Sequence, residues 1–341
     1  MIWNDLYIAG LGTYLPPTVH TDDMVREGVL TAQRRESLGY HSVLVETEKA
    51  APDMAALAGS RAVAQSGIPV EEFGLVVHGS LWFQGRPMWP AASYVASRAL
   101  GDAVPALDMG QQCNAGLGSL ELAASHLAAG TRGSAVLLTT GDRFAPPAID
   151  RWNTHDASVY ADAGTAMVLS RNGGYARVLA TTTTSDNFFE GMNRGTGPLD
   201  ACPPSPERPI SMAARKAEFG EANPGTETFT RLLTAIATAR QSVLDQLGMK
   251  IGDMKKVIDV ASRGGLGDEQ YCQFFGIAPE QSTWDFGSRT GHLGAGDHFA
   301  GLADLLRTGQ VGPGDLVMLF GGGGGYTCTA AVVEILQTPT W

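Results

Sequence analysis

The chain has 341 residues, 44% of them hydrophobic, which is enough for a large buried core and, at roughly 150 residues per domain, for about two structural units. Its net charge of −11 and the absence of any basic run longer than the pairs Arg34-Arg35 and Lys255-Lys256 exclude a nucleic-acid-binding surface as the leading reading. The four cysteines (Cys113, Cys202, Cys272, Cys328) lack CxxC spacing, which argues against a disulfide scaffold or a metal site and fits a reducing cytoplasm; the 43 glycines lack the three-residue period of collagen.

The opening MIWNDLYIAGLGTYLP has no basic stretch followed by an apolar one, so it reads as a strand and not a signal peptide. No apolar run reaches the length of a membrane span. Met54 to Gln65 has helical composition, and Phe73 to His78 is a short apolar strand. Pro105 to Met109 is a strand leading into Cys113. Leu117, Leu120, Ala124 and Leu127 then recur at helical spacing up to a stop at Gly130. Strands are predicted over Ala135 to Thr140 and Gly164 to Ser170, with Tyr175 to Thr182 pairing beside the latter. Residues 183 to 225, centred on PLDACPPSPERP, read as a long surface excursion.

The second half repeats the order. Phe229, Leu232, Leu233, Ile236, Val243 and Leu247 mark an amphipathic helix, and Val257 to Ala261 a strand. His292 to Leu306 is predicted as a helix after a glycine-rich lead-in. Leu316 to Phe320 is a strand ending in the turn Gly321 to Gly325, and Ala330 to Leu336 closes the sheet. The scheme divides the chain into residues 1–172 and 173–341. Cys113 and His292 open matched helices of the two halves, so a pseudo-two-fold axis would bring thiol and imidazole together.

Cys113 sits in DMGQQCNAGLG between a strand end and a helix start, where unpaired N–H groups and the helix dipole favour a thiolate. Neutral imidazole is the usual general base near neutral pH, and His292 in RTGHLGAGDH has glycines around it that leave room for a cavity. Asp297, Asp285 and Asp259 are the candidates to orient that ring, with Asp297 preferred because it lies in the first turn after it. The backbone N–H groups of Cys113 and Gly324 are candidates for an oxyanion hole. His78, His126 and His298 read as structural. Cys202, Cys272 and Cys328 read as inert. Trp82, Phe83 and Trp89 read first as core residues, with a pocket or an interface as the alternative.

Taken together, IAGLGTYLP, WPAASYVASRALG, DMGQQCNAG, ADAGTAMVL and GPGDLVMLFGGGGGYTCTAAVV resemble the ketosynthase III branch of the thiolase superfamily over nearly the whole chain. The resemblance implies an α/β thiolase fold, two duplicated halves in a five-layered α-β-α-β-α core. It also implies a homodimer, with Trp89 and Pro90 crossing the interface. The family uses a Cys-His-Asn set. Here Ala261 or Ser262 stands at the family's histidine position, and His292 stands at the asparagine's, in a GHLGAG run similar to the GHP-type motif of true thiolases. Without both decarboxylation residues, carbon–carbon bond formation from a malonyl thioester is expected to fail while acyl transfer remains, a pattern that resembles the acyltransferase-type ketosynthase III relatives of actinobacterial antibiotic pathways. The implied reaction moves an acyl group of malonyl type from acyl-CoA, malonyl-CoA above others, or from an acyl carrier protein, to a small-molecule hydroxyl such as a sugar of a polyketide. No permanently bound cofactor is implied. The coenzyme A-stacking tryptophan of the family aligns near Gln33, leaving Arg34, Arg35 and Arg151 as candidates for the phosphates. Rival readings are a starter-unit loading enzyme, a decarboxylating ketosynthase III, and a non-catalytic partner subunit, against which the presence of both Cys113 and His292 argues.

Overall fold

The computed structural model describes residues 1–130, 132–199, 209–264 and 266–339; Cys202 and most of the proline-rich run around it lie outside the described residues. Among the described residues, nine strands form the main sheet: β1 (Tyr7–Tyr14), β2 (Phe73–Gly79), β3 (Ala106–Met109), β4 (Ala135–Asp142), β5 (Ala163–Ser170), β6 (Ala176–Ser185), β7 (Lys256–Ile258), β8 (Leu316–Gly323) and β9 (Thr327–Ile335). Their order is β3-β2-β4-β5-β1-β6-β9-β8-β7. In the first half β3, β2 and β4 are parallel, while β5 runs antiparallel to both β4 and β1. The second half repeats this: β7 and β8 are parallel, and β9 runs antiparallel to both β8 and β6. The two series meet where β1 pairs with the start of β6.

The helices that matter are α1 (Ala51–Ser66), α2 (Ala91–Ala99), α3 (Ala115–Ala128), α4 (Met212–Ala222), α5 (Thr226–Leu247), α6 (Asp268–Phe275), α7 (Trp284–Thr290) and α8 (Asp297–Arg307). Leu117 and Leu120 of α3 and Phe299 and Leu302 of α8 share one buried cluster with Val77 and Leu138 from the first half and Leu319 and Val333 from the second. These two helices are therefore a middle layer between the half-sheets. Each such side chain contributes about 1.5–3 kcal/mol on burial, so this layer joins the halves. Ala58, Ala62 and Ala96 of α1 and α2 cover the outer face of the first half-sheet. Val243, Leu244 and Cys272 of α5 and α6 cover the second. The five α-β-α-β-α layers are those the resemblance implies. Strands buried on both faces explain why β4 and β5 read as continuous apolar runs instead of alternating ones.

Five sequence expectations need correction. The segment beginning at Tyr175 does not pair with β5. That slot is filled by β1, in register from Tyr7 opposite Ser170 to Tyr14 opposite Gly164, and β6 pairs with β9 instead. The strand expected over Val257 to Ala261 stops at Ile258. The segment from His292 is not helical at its start: α8 begins at Asp297, and His292 lies in the loop before it. Gly294 in that loop holds φ +63, a left-handed conformation that cannot continue a right-handed helix. Finally, Gly321 to Gly323 belong to β8, so only Gly324 and Gly325 are left for the turn. The excursion after residue 183 is also more ordered than expected, because β6 runs to Ser185 and α4 occupies Met212–Ala222.

Candidate active site

Both candidate reacting groups, Cys113 and His292, are carried to the middle layer by sharp changes of chain direction. On the first side, β3 ends at Met109 and Gln112 takes φ +53. This left-handed conformation is rare for a side chain with a Cβ, and it turns the chain so that Cys113 stands at the bend before α3. The Asn114 side chain pins the bend, donating to Gln111 Oε1 at 2.9 Å and to Thr329 Oγ1 at 3.0 Å. On the second side, the His292 N–H donates to the Val159 carbonyl at 3.0 Å, and the His292 carbonyl accepts from Ala161 N–H at 2.8 Å. The two sides touch at Gly116, where a Cβ would come within 2.3 Å of the Ala295 carbonyl oxygen.

His292 Nε2 lies 3.0 Å from Cys113 Sγ, and His292 Nδ1 lies 2.6 Å from Asp297 Oδ2. The ring is buried and stacks on Tyr160, 5.6 Å between centroids. Asp297 is held in turn: Oδ2 accepts from Ala261 N–H at 2.9 Å and Oδ1 from Leu293 N–H at 2.8 Å. With Nδ1–H donated to a carboxylate, Nε2 is left as the acceptor for the thiol proton. Burial opposes charge on His292, but Cys113 and Asp297 outweigh it and hold the imidazole well above its ordinary value.

Of the three candidate carboxylates, Asp297 is the one at the ring. Asp285 is exposed and pairs with Arg289 at 2.7 Å, and Asp259 pairs with Arg263 at 3.1 Å. His298 faces away and donates from Nε2 to the Phe320 carbonyl at 2.9 Å. Cys272 and Cys328 are buried, and burial pushes the Cys328 thiol up to about 12. Ala261 and Ser262 carry no titratable group; the Ser262 hydroxyl donates to the Ala157 carbonyl at 2.8 Å.

A cavity of about 740 Å³ opens on Cys113 and His292, with Gly324 on the same wall and the side chain of Asn193 packed against that glycine. Trp82 faces this cavity, whereas Phe83 is exposed and Trp89 packs on Tyr94 at 5.3 Å. The expected phosphate ligands fare differently. Arg151 is buried and gives both terminal nitrogens to Asp162, at 3.0 and 2.8 Å, so the assignment of a phosphate to it is corrected. A buried Asp162 demands that partner, and the pair is structural. Arg34 is occupied by the carbonyls of Trp152, His155 and Asp156, at 2.9, 2.5 and 3.3 Å. Arg35 pairs with Asp22 at 3.0 Å.

Two residues of the site escaped sequence reasoning. Asp142, at the end of β4, accepts from the N–H groups of Leu81, Trp82 and Ala295 at 2.8–3.1 Å and so ties the His292 loop to the cavity wall. Burial pushes its carboxyl up to about 7, against the lowering by those three donors. Its signal was a carboxylate closing a wholly buried strand. Tyr160 left no signal, because an aromatic in a loop is as often core as site.

The sequence profile of 3-oxoacyl-[acyl-carrier-protein (ACP)] synthase III matches residues 107–187, and that of its C-terminal part matches residues 244–335. The mycobacterial beta-ketoacyl-[acyl-carrier-protein] synthase III of Mycobacterium marinum is 24% identical over 336 residues, covering 96% of this chain and 95% of that protein. The solved structure of 3-oxoacyl-[acyl-carrier-protein] synthase III from Aquifex aeolicus shares the fold, with a TM-score of 0.77, 21% identity, and coverage of 96% of this chain and 99% of that one. The solved structure of ChlB3, described as an acyltransferase, has a TM-score of 0.91 and 34% identity, and the match covers 99% of this chain and all (100%) of the other. A match of that length and identity, on a fold with these duplicated halves, makes the chain a member of the ketosynthase III-like branch of the thiolase superfamily, whose enzymes transfer acyl groups.

Proposed function

We propose that the protein is an acyl-thioester:alcohol acyltransferase working through an acyl-Cys113 intermediate, without decarboxylative condensation. One observation carries the reading: a thiol, imidazole and carboxylate relay with Ala261 and Ser262, not a second histidine, in the segment after β7, where the Ala261 N–H holds Asp297 and Ser262 lines the cavity. His292 Nε2 takes the Cys113 proton, and the thiolate attacks the donor thioester carbonyl. The Cys113 and Gly324 N–H groups stabilise the developing oxyanion. Collapse breaks the carbon–sulfur bond to the carrier, and the departing thiol leaves with the proton from His292. An acceptor hydroxyl then gives its proton to His292, attacks the acyl carbonyl and departs as an ester, while Cys113 recovers the proton.

The finer reading has the donor as acyl-CoA, malonyl-CoA above others, and the acceptor as a hydroxyl of a polyketide-borne sugar. ChlB3, described as an acyltransferase, supports the transfer chemistry. The proposed division at residues 172 and 173 gives each half one reacting group. We also assign a homodimer, formed in the cytoplasm, to the free edge of β3. That edge has no neighbour in the sheet among the described residues, and the apolar Leu107 on it is exposed. Malonyl-CoA labelled in its free carboxyl group, given with alcohol acceptors, tests the reaction. The label is expected in an ester; its release as carbon dioxide with a carbon–carbon product would overturn the proposal.

A further inference from the structure

The cavity holds a polar pair that the Cys113 relay does not use. His155 and Lys216 of α4 both face it. The Ala157 N–H donates to His155 Nδ1 at 3.2 Å. A backbone N–H can only donate, so Nδ1 carries the lone pair and the neutral ring bears its proton on Nε2. That Nε2 stands 3.3 Å from Lys216 Nζ, and an ammonium has donors only. Two donors therefore converge with no described acceptor between them. Lys216 gives one N–H to Asp156 Oδ1 at 2.5 Å and keeps the others. Burial, reinforced by the adjacent Lys216, pushes the His155 imidazole down to about 3, so the ring stays neutral and the conflict persists.

The local charge is unusual for a chain of net charge −11. Arg34 stands behind His155, holding its carbonyl, and Arg215 lines the same cavity as Lys216, while Asp156 is the facing carboxylate. The Tyr160 ring lies 5.6 Å from both His155 and His292, so the pair is one ring away from the relay. Such a positive, partly desolvated pocket wall suits an anionic oxygen, which would accept from both donors at once.

We propose that Lys216 and the His155 Nε2–H form a subsite for an anionic oxygen of the acyl donor, an assignment that rests on the acyl-transfer reading above. The oxygen belongs either to a terminal carboxylate of the acyl group or to a phosphate of its carrier. Arg151, buried on Asp162, does not take that part.

The test is single-turnover acylation of Cys113 in the full-length protein, wild type against Lys216→Met, which keeps the length and removes the charge. Donors are malonyl and propionyl groups, each on coenzyme A and on N-acetylcysteamine, which has no phosphate. If the oxygen is a carboxylate, the malonyl-over-propionyl preference falls by about 10- to 100-fold on both carriers, the range expected for a lost charged hydrogen bond. If it is a phosphate, the coenzyme A-over-N-acetylcysteamine preference falls by that factor for both acyl groups. Ratios within one preparation cancel a general loss of folded protein, and Lys216→Arg should restore most of the preference. Neither ratio moving by more than about twofold, the range of context-dependence for one hydrogen bond, overturns the subsite. A loss confined to the second step, transfer to the alcohol, overturns it as well, because the pair would then serve the acceptor. Failure of wild type to acylate from any donor would instead sink the acyl-transfer reading itself.

Discussion

Replacing Asp297 by Asn separates the orienting role of the carboxylate from its charge. Three donors reach this side chain: His292 Nδ1–H at 2.6 Å, Ala261 N–H at 2.9 Å and Leu293 N–H at 2.8 Å. An asparagine offers one oxygen and one NH₂ group. If its oxygen stays with Leu293, the NH₂ meets the Ala261 N–H and the ring, and His292 must move its proton to Nε2. The nitrogen facing Cys113 then cannot accept, and the same substitution in a serine-type relay costs about 10⁴-fold. If the oxygen takes the other place, the tautomer survives, but Leu293 N–H is left unpaired and the imidazolium loses its counter-charge. A charge-assisted hydrogen bond is worth about 1.5–3 kcal/mol, or about 10- to 100-fold in rate. Asp297→Asn is therefore expected to lower the Cys113 acylation rate by between about 10-fold and about 10⁴-fold, with donor affinity little changed. Stopped-flow acylation measures the rate, and ¹⁵N NMR of the His292 ring reads the tautomer. An acylation rate within about twofold of wild type, with the Nδ1–H tautomer lost, would refute this reasoning, since a twofold change is only about 0.4 kcal/mol.

Three further outcomes follow from the geometry. Arg151→Met leaves Asp162 buried without its partner and should cost about 3–5 kcal/mol in chemical denaturation; unchanged stability with a raised KM for acyl-CoA would return Arg151 to the phosphate. Gly116→Ala puts a Cβ about 2.3 Å from the Ala295 carbonyl and pushes the Cys113 helix from the His292 loop. A displacement of about 1 Å should cut acyl transfer roughly 100-fold while the protein stays folded by circular dichroism; full activity would show that the two sides yield independently. Asp142 has a folded-state pKa raised to about 7 from 3.8. Its contribution to stability is thus fully present below about 3.8 and is lost as pH rises through about 7. The stability advantage of wild type over the non-titrating Asp142→Asn should shrink across that window in pH-dependent thermal melts, and an advantage that grows with pH would contradict the assignment.

The two-half architecture was legible because each half repeats its elements in the same order. Cys113 and His292 were singled out as openings of matched helices; they do meet, but His292 lies in the loop five residues before α8 and not at a helix start. What stayed hidden depended on contacts between segments distant in sequence. Nothing local to Tyr7–Tyr14 says that it displaces the segment after Gly174 from the side of Ala163–Ser170. The choice among Asp297, Asp285 and Asp259 was open because it turns on where the helix after His292 begins, and glycines delay that start to Asp297. The arginines misled for a similar reason. Arg34 and Arg151 look like free cations in the sequence, but one is held by loop carbonyls and the other by a buried carboxylate. Lys216 and His155 lie 61 positions apart and meet only through the packing of α4 on the loop after Arg151.

The most direct test of the central claim is the intact mass of the protein after mixing with malonyl-CoA and other acyl-CoAs. The expected result is one added acyl group that keeps its free carboxyl when the donor is malonyl-CoA, absent in Cys113→Ala and slowed in His292→Ala. An adduct that persists in Cys113→Ala, or a malonyl adduct that has lost carbon dioxide, would contradict acyl transfer through Cys113.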